Sequence, residues 1–528
     1  MPDQKGIPML FNSFGYAVFL PVIFLLHWIT PRKWRWALLL AASCFFYASW
    51  GPEYLTVLFL TIVVSYCAAL YMEHAGNRNR KKSDRSKNDR PTGRQSKSSR
   101  SNSSRPQCSR TAPASRTALI LSVLFCAGLL FFFKYLNFFS ENVALLLRSL
   151  SIPVQPLTLR LALPIGISFY LFQTISYLVD VYQGKIPAER HFGIYAVYIS
   201  FFPKVMQGPI ERGASLLPQL HKPGRFHYEQ ASYGMKLMAW GFFKKLVLAD
   251  GLSIYVNQVY DNLPSYTGFS LMLATFFYAV QLYCDFSGYT DIALGSARIL
   301  GIRLTPNFRS PYFASSIKDF WGRWHLSLSG WLRDYIYIPL GGNRVGRVRH
   351  ALNIMITFLV SGLWHGASWN FVLWGGIHGA LQVVEGFFPW NKKGSPFQTD
   401  RRLHALLCIV SVPVTFLLVC FAWIFFRAAT IGDAFYVIRS MFTGIGSPSA
   451  YFHDCALQME LGLTNLMFHC LPMIPLFLFD LASLKTDVIA LISRQRFFIR
   501  WPVYILLLLV ILLFSEKGVT TEFIYMQF

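Results

Sequence analysis

With 528 residues, 54% of them hydrophobic and 14% charged, the chain has too little polar surface to wrap a soluble globule of its size and belongs in a lipid bilayer. Its nine cysteines form neither a Cys-x-x-Cys pair nor a Cys/His cluster at zinc spacing, so no metal is expected. The sequence holds no glycine-rich phosphate loop followed by Lys-Ser/Thr and no Gly-x-Ser-x-Gly elbow, which removes support for ATP hydrolysis and serine-hydrolase chemistry.

Apolar stretches able to cross roughly 30 Å of hydrocarbon recur from end to end, about ten to twelve in all. The first, near 9–29, follows a weakly basic start without a small-residue cleavage site and is expected to remain as a helix. Two short spans near 36–50 and 53–73 separate the cluster Pro31-Arg-Lys-Trp-Arg-Trp36 from a second basic run, 76–117, where thirteen Lys/Arg stand against Asp84 and Asp89. Both basic segments then fall on one side. The positive-inside rule makes that side cytoplasmic and leaves the N-terminus outside. Residues 76–117 are rich in Ser, Arg, Lys and Asn and almost free of apolar side chains, so a disordered cytoplasmic loop is expected, in contact at most with anionic headgroups. Aromatic residues for base stacking are missing there, which argues against a nucleic-acid-binding arm. The simplest division is 1–75 as N-terminal helices, 76–117 as the loop and 118–528 as the main core, the outer two forming one integral domain.

Further spans are expected near 118–137, 160–180, 192–207, 232–250, 268–284, 288–302, 352–373, 374–389, 404–427, 461–485 and 499–515. Pro203, Gly208 and Pro209, together with the pairs Gly341-Gly342 and Gly375-Gly376, predict re-entrant or broken helices around an enclosed cavity. From Lys318 to Leu340 the spacing predicts one amphipathic helix. Asp319, Arg323, Ser327, Gly330 and Asp334 follow its polar stripe, and Trp321, His325, Leu328 and Leu332 its apolar one. The fold class is thus all-α: a polytopic membrane protein with re-entrant and interfacial helices.

Ionisable residues at membrane depth are costly and count as functional candidates. His365, in Ser361-Gly-Leu-Trp-His-Gly-Ala-Ser-Trp-Asn370, has Gly366 and Ala367 beside it, which leave room for a substrate. A neutral imidazole takes a proton from a hydroxyl and returns it to a leaving group near neutrality; the plainer reading is a histidine that packs helices together. His378 is thirteen residues on, about 20 Å along and about 140° round one continuous helix, so a shared site would need a break at Gly375-Gly376. Asp285 and Asp291 lie six apart, about 120° round a helix, and suit helix-to-helix hydrogen bonds or ion pairs with Arg298, Arg323 or Arg333 better than paired acid/base work. Lys244 and Lys245, near a span end, are expected to snorkel.

The segments Met9-Leu-Phe-Asn-Ser13, Leu163-Pro-Ile-Gly-Ile-Ser-Phe-Tyr170, Tyr177-Leu-Val-Asp-Val-Tyr182, Gly208-Pro-Ile-Glu-Arg212, Tyr283-Cys-Asp-Phe-Ser-Gly-Tyr-Thr-Asp-Ile292, Asp319-Phe-Trp-Gly-Arg-Trp-His325, Trp331 to Arg344 and Gly362-Leu-Trp-His-Gly366 resemble the membrane-bound O-acyltransferase family. The likeness is to its bacterial branch, which includes the membrane subunit of alginate O-acetylation. It covers nearly the whole chain outside the basic loop. The resemblance implies a central funnel with histidines near its floor, His365 as catalytic residue and His325 as its partner. It also implies transfer of an acyl group, as acetyl, from a cytoplasmic thioester to a polysaccharide hydroxyl. No bound cofactor is implied. Acetyl-CoA or an acyl carrier protein would bring the thioester, and extracytoplasmic acetyltransferase proteins would carry acetyl onward. His365 would act as general base or as a covalent acyl carrier, with His325 orienting the reactants or donating to the oxyanion. The basic loop, and Gly322 where relatives often carry arginine, depart from the family pattern. Two other classes stay open: a transporter or flippase for a lipid-linked precursor, for which no internal repeat is seen, and a non-catalytic scaffold of an exopolysaccharide export complex in which His365 would be dispensable.

Overall fold

The computed structural model describes residues 9–88, 113–159, 162–387, 401–460 and 462–515. All regular structure among them is helical. Five helical segments are long and apolar enough to cross a membrane: Pro52–Arg78, Pro113–Ser149, Phe269–Ile299, Ile409–Arg427 and Phe497–Phe514. The remaining helices are shorter or more polar and pack around these.

Ser13 caps α1 (Phe14–Ile29) by accepting from Tyr16 N, and the Tyr16 hydroxyl donates to Ser296 Oγ at 2.7 Å. After α2 (Arg35–Ala48), α3 (Pro52–Asn88) runs on into the segment expected to be disordered. An apolar helix already nucleated in the membrane needs no new nucleus, and Lys and Arg extend it at little cost. The rest of that segment, 89–112, lies outside the described residues. Next, α4 (Pro113–Leu130) passes through a wide π turn (Phe131–Tyr135) into α5 (Leu136–Ser149). Two helices, α6 (Ile167–Tyr182) and α7 (Phe192–Ser200), precede the irregular stretch 201–212, which is buried at almost every position. The Pro203/Gly208/Pro209 break is therefore real, and its backbone sits inside protein, where non-helical membrane segments are tolerated.

The centre is built by α8 (Gly213–His221), α9 (Tyr228–Phe242), a second π turn (Phe243–Ala249), α10 (Asp250–Tyr260) and α11 (Phe269–Ile299). Where two spans were expected, at 268–284 and 288–302, α11 is one helix. Gly288 serves close packing instead of a break: a Cβ there would meet Gly241 O at 2.8 Å, and one on Gly295 would meet Gly234 O at 2.5 Å. These small residues, seven apart on each helix, let α9 and α11 cross nearly backbone to backbone.

The stretch from Lys318 to Leu340 is not the single amphipathic helix that its spacing suggests. It divides into α12 (Ile317–Trp321), a break at 322–325, α13 (Leu326–Leu332) and a π turn (Arg333–Tyr337), ending at Gly341 and Gly342, both with positive φ. A helical hairpin follows, α14 (Arg347–His365) and α15 (Trp369–Phe387), then α16 (Arg401–Arg427), α17 (Ile431–Ser440), α18 (Pro448–Gln458), α19 (Leu463–Cys470), α20 (Met473–Ser483), α21 (Val488–Ser493) and α22 (Phe497–Phe514).

The interior has two large apolar cores. One gathers α1 to α4 and α6 to α8 with the far end of α11, and the other gathers α10, α15, α16 and the near end of α11. Between them runs a narrow seam of Phe169, Phe172, Ile210, Leu328, Trp331, Leu332 and Trp364.

Candidate active site

His365 is the last residue of α14, buried, and it ends its helix because Gly366 turns into extended backbone (φ −165°). A Cβ at Gly366 would lie 2.1 Å from the Phe371 ring, so only glycine fits between the two helices here. The imidazole meets Trp364, Trp374 and Phe426 edge to face, at 4.9, 5.0 and 5.4 Å between centroids.

His325, fully buried, opens α13 in the left-handed conformation (φ 45°, ψ 55°). For a residue with a Cβ this costs of order 1–3 kcal/mol, and such strain persists only where the surroundings impose it. Asn307 imposes it. Its carbonyl accepts from Leu326 N at 2.9 Å and its Oδ1 from Ser327 N at 3.3 Å, while Ser327 Oγ accepts from Ile210 N at 3.0 Å. The His325 ring lies between Phe286 of α11 (4.7 Å) and Phe169 of α6 (6.3 Å), and it meets Trp364 at 5.9 Å. His325 and His365 thus flank one indole, on the seam where the two cores join. Their partnership here does not come from the apolar face of a long helix, as the spacing suggested, but from a break in it.

His378 packs on the far side of Trp374 from this pair, beside Phe358 of α14. The helix breaks at Gly366–Ser368, not at Gly375-Gly376, so α14 and α15 form a hairpin with His365 at its tip and His378 within α15. Trp374 touches both, at 5.0 Å from His365 and 4.9 Å from His378. Gly375 lies within α15, where a Cβ would meet Phe358 O of α14 at 2.3 Å. His378 Nδ1 accepts from Trp321 Nε1 at 3.3 Å, linking α15 to the element that leads into His325.

The lysines do not snorkel. Lys245 is buried between Asp285 (2.7 Å) and Asp250 (2.8 Å), and Lys244 pairs with Asp291 (2.6 Å) and donates to Ser287 Oγ (2.9 Å). The π turn before α10 aims both ammonium groups inward at α11, where low polarity makes a counter-charge obligatory. Asp285 and Asp291 face separate lysines, so they are not a paired acid/base site. Of the arginines expected as their partners, Arg298 lies over the Tyr233 ring at 3.8 Å, while Arg323 and Arg333 pair with Asp319 and Asp334.

Beside these groups lies a cavity of about 760 Å³, lined among others by Lys244, Asp291, Phe308, Arg309, Gly322 and Arg323. Phe308 packs on Phe286, which packs on His325, so one aromatic pair separates this wall from the imidazole. Asn307, Trp374 and Lys134 escaped the sequence reading. For Lys134 a signal existed: it is the only charged residue between Arg116 and Glu141.

An all-helical membrane protein with buried histidines on an aromatic seam matches the model of the membrane-bound O-acyltransferase family over residues 189–426, which contain His325, His365 and His378. The chain belongs to this family and is an O-acyltransferase. It is 35% identical to the probable alginate O-acetylase AlgI of Pseudomonas syringae, over 82% of this chain and 75% of that protein. It is 34% identical to the peptidoglycan O-acetyltransferase of Helicobacter pylori, over 82% of this chain and 80% of the relative. A teichoic acid D-alanyltransferase of Bacillus subtilis is 29% identical over 50% of this chain and 68% of its own length.

Proposed function

We propose that the protein moves acetyl from a thioester on the cytoplasmic side of the bacterial inner membrane towards hydroxyls of an exported envelope polysaccharide. The N-terminus lies outside and the basic segment 76–117 in the cytoplasm. His365 acts as general base on the acceptor hydroxyl. His325, across the Trp364 indole, orients the reactants or donates to the developing oxyanion. The observation that carries this reading is the placing of two buried imidazoles on either side of one indole, in an aromatic shell at the junction of the cores. A neutral imidazole is the form that accepts a proton from a hydroxyl.

Acetyl-CoA or an acyl carrier protein brings the thioester. Extracytoplasmic acetyltransferase proteins complete delivery. Relatives acting on alginate and peptidoglycan favour acetyl as the group moved. The test is ester-linked acetate on isolated envelope polymers from a deletion strain and its complemented parent. Loss and restoration on one polymer identifies the acceptor; unchanged acetate on every polymer contradicts the proposal.

A further inference from the structure

A helix that stops inside a membrane leaves its last carbonyls without intrahelical donors, and burying them unpaired is costly. At the end of α14 each is taken. Gly366 N donates to Gly362 O at 3.4 Å. The Tyr135 hydroxyl donates to Leu363 O at 2.6 Å, and Lys134 Nζ donates to both Trp364 O (2.8 Å) and His365 O (2.9 Å). Both donors come from the π turn between α4 and α5, a wide turn that presents adjacent residues to one neighbour.

The same face of α5 holds the other side of the loop. Phe138 packs on Trp369, the first residue of α15, at 5.7 Å, and Asn142 Oδ1 accepts from Trp369 Nε1 at 2.9 Å. Residues 134, 138 and 142 recur every fourth position and form one stripe along the rod. That stripe grips both ends of the 366–368 turn, immediately after His365. Lys134 also directs its amine donors at main-chain oxygens at the negative end of the α14 dipole.

We infer that Lys134 is a positioning residue for His365: with Tyr135 it fixes where α14 stops, and so where the imidazole stands against Trp364 and Trp374. The inference rests on the proposed role of His365, and the hydrogen bonds of Lys134 go to main-chain oxygens at the end of α14. Displacing a reacting group by about 1 Å costs about a hundredfold in rate.

The test measures ester-linked acetate on the envelope polymer of a deletion strain complemented with each variant, at matched levels of membrane-inserted protein. Lys134→Met is expected to lower acetylation about a hundredfold, and Lys134→Arg, which keeps charged donors, to restore it to within about tenfold of the parent. Tyr135→Phe, which removes one donor, is expected to lose about fivefold. Parent-level acetylation in Lys134→Met overturns the inference, as does failure of Lys134→Arg to rescue. Should Lys134→Met not insert, Tyr135→Phe decides, and full activity there overturns it. His365→Ala runs beside these: activity retained in that variant removes the site reading itself, independently of Lys134.

Discussion

Two regions of the same membrane interior hold polar groups in opposite ways. At the α9–α11 crossing, Lys244 and Lys245 are neutralised by Asp291, Asp285 and Asp250 within 2.8 Å. At the seam, His325, His365 and His378 are surrounded by Phe169, Phe286, Trp364, Trp374 and Phe426. A permanent charge in low polarity requires a counter-charge, and once paired it is locked in one state. An imidazole is neutral at rest, tolerates an aromatic shell and stays free to gain and lose a proton. The ion-paired region therefore holds helices together, and the aromatic one is suited to chemistry.

Substitutions separate the two regions. His325→Ala should lower turnover by about 10²- to 10⁴-fold while leaving the thermal unfolding midpoint in detergent near that of the parent; a large fall in midpoint with normal turnover would reverse its assignment. Lys245→Met should do the opposite. It leaves Asp250 and Asp285 buried without their shared cation and should cost about 3–5 kcal/mol, read as loss of folded protein, with Asp250→Asn and Asp285→Asn added to it recovering much of the loss. Next in size, Gly295→Ala puts a Cβ against Met238 and Gly234 O and should cost about 1–3 kcal/mol in the same unfolding measurement. Smallest is Arg190→Ala, which breaks an exposed pair with Glu73 and should change stability by less than about 1 kcal/mol.

The sequence made the membrane class, most helix positions and His365 legible, because apolar runs and a lone imidazole beside glycine are local signals. Three features were not local. The left-handed turn at His325 has no glycine or proline to mark it; Asn307, eighteen residues upstream, creates it through tertiary hydrogen bonds. Gly375 read as a break because glycine ends helices, yet in a membrane it also lets them touch, and only the neighbouring helix distinguishes the uses. The paired lysines resembled snorkelling ones because Asp285 and Asp291 lie forty or more residues away along the chain.

The central claim, that a buried imidazole at the end of α14 carries the transfer, is tested most directly by His365→Ala in a strain lacking the native protein. Ester-linked acetate on the envelope polymer should fall to the level of the deletion strain, with the variant inserted in the membrane at parental amount and its unfolding midpoint unchanged. Parental acetate in that strain would contradict the account.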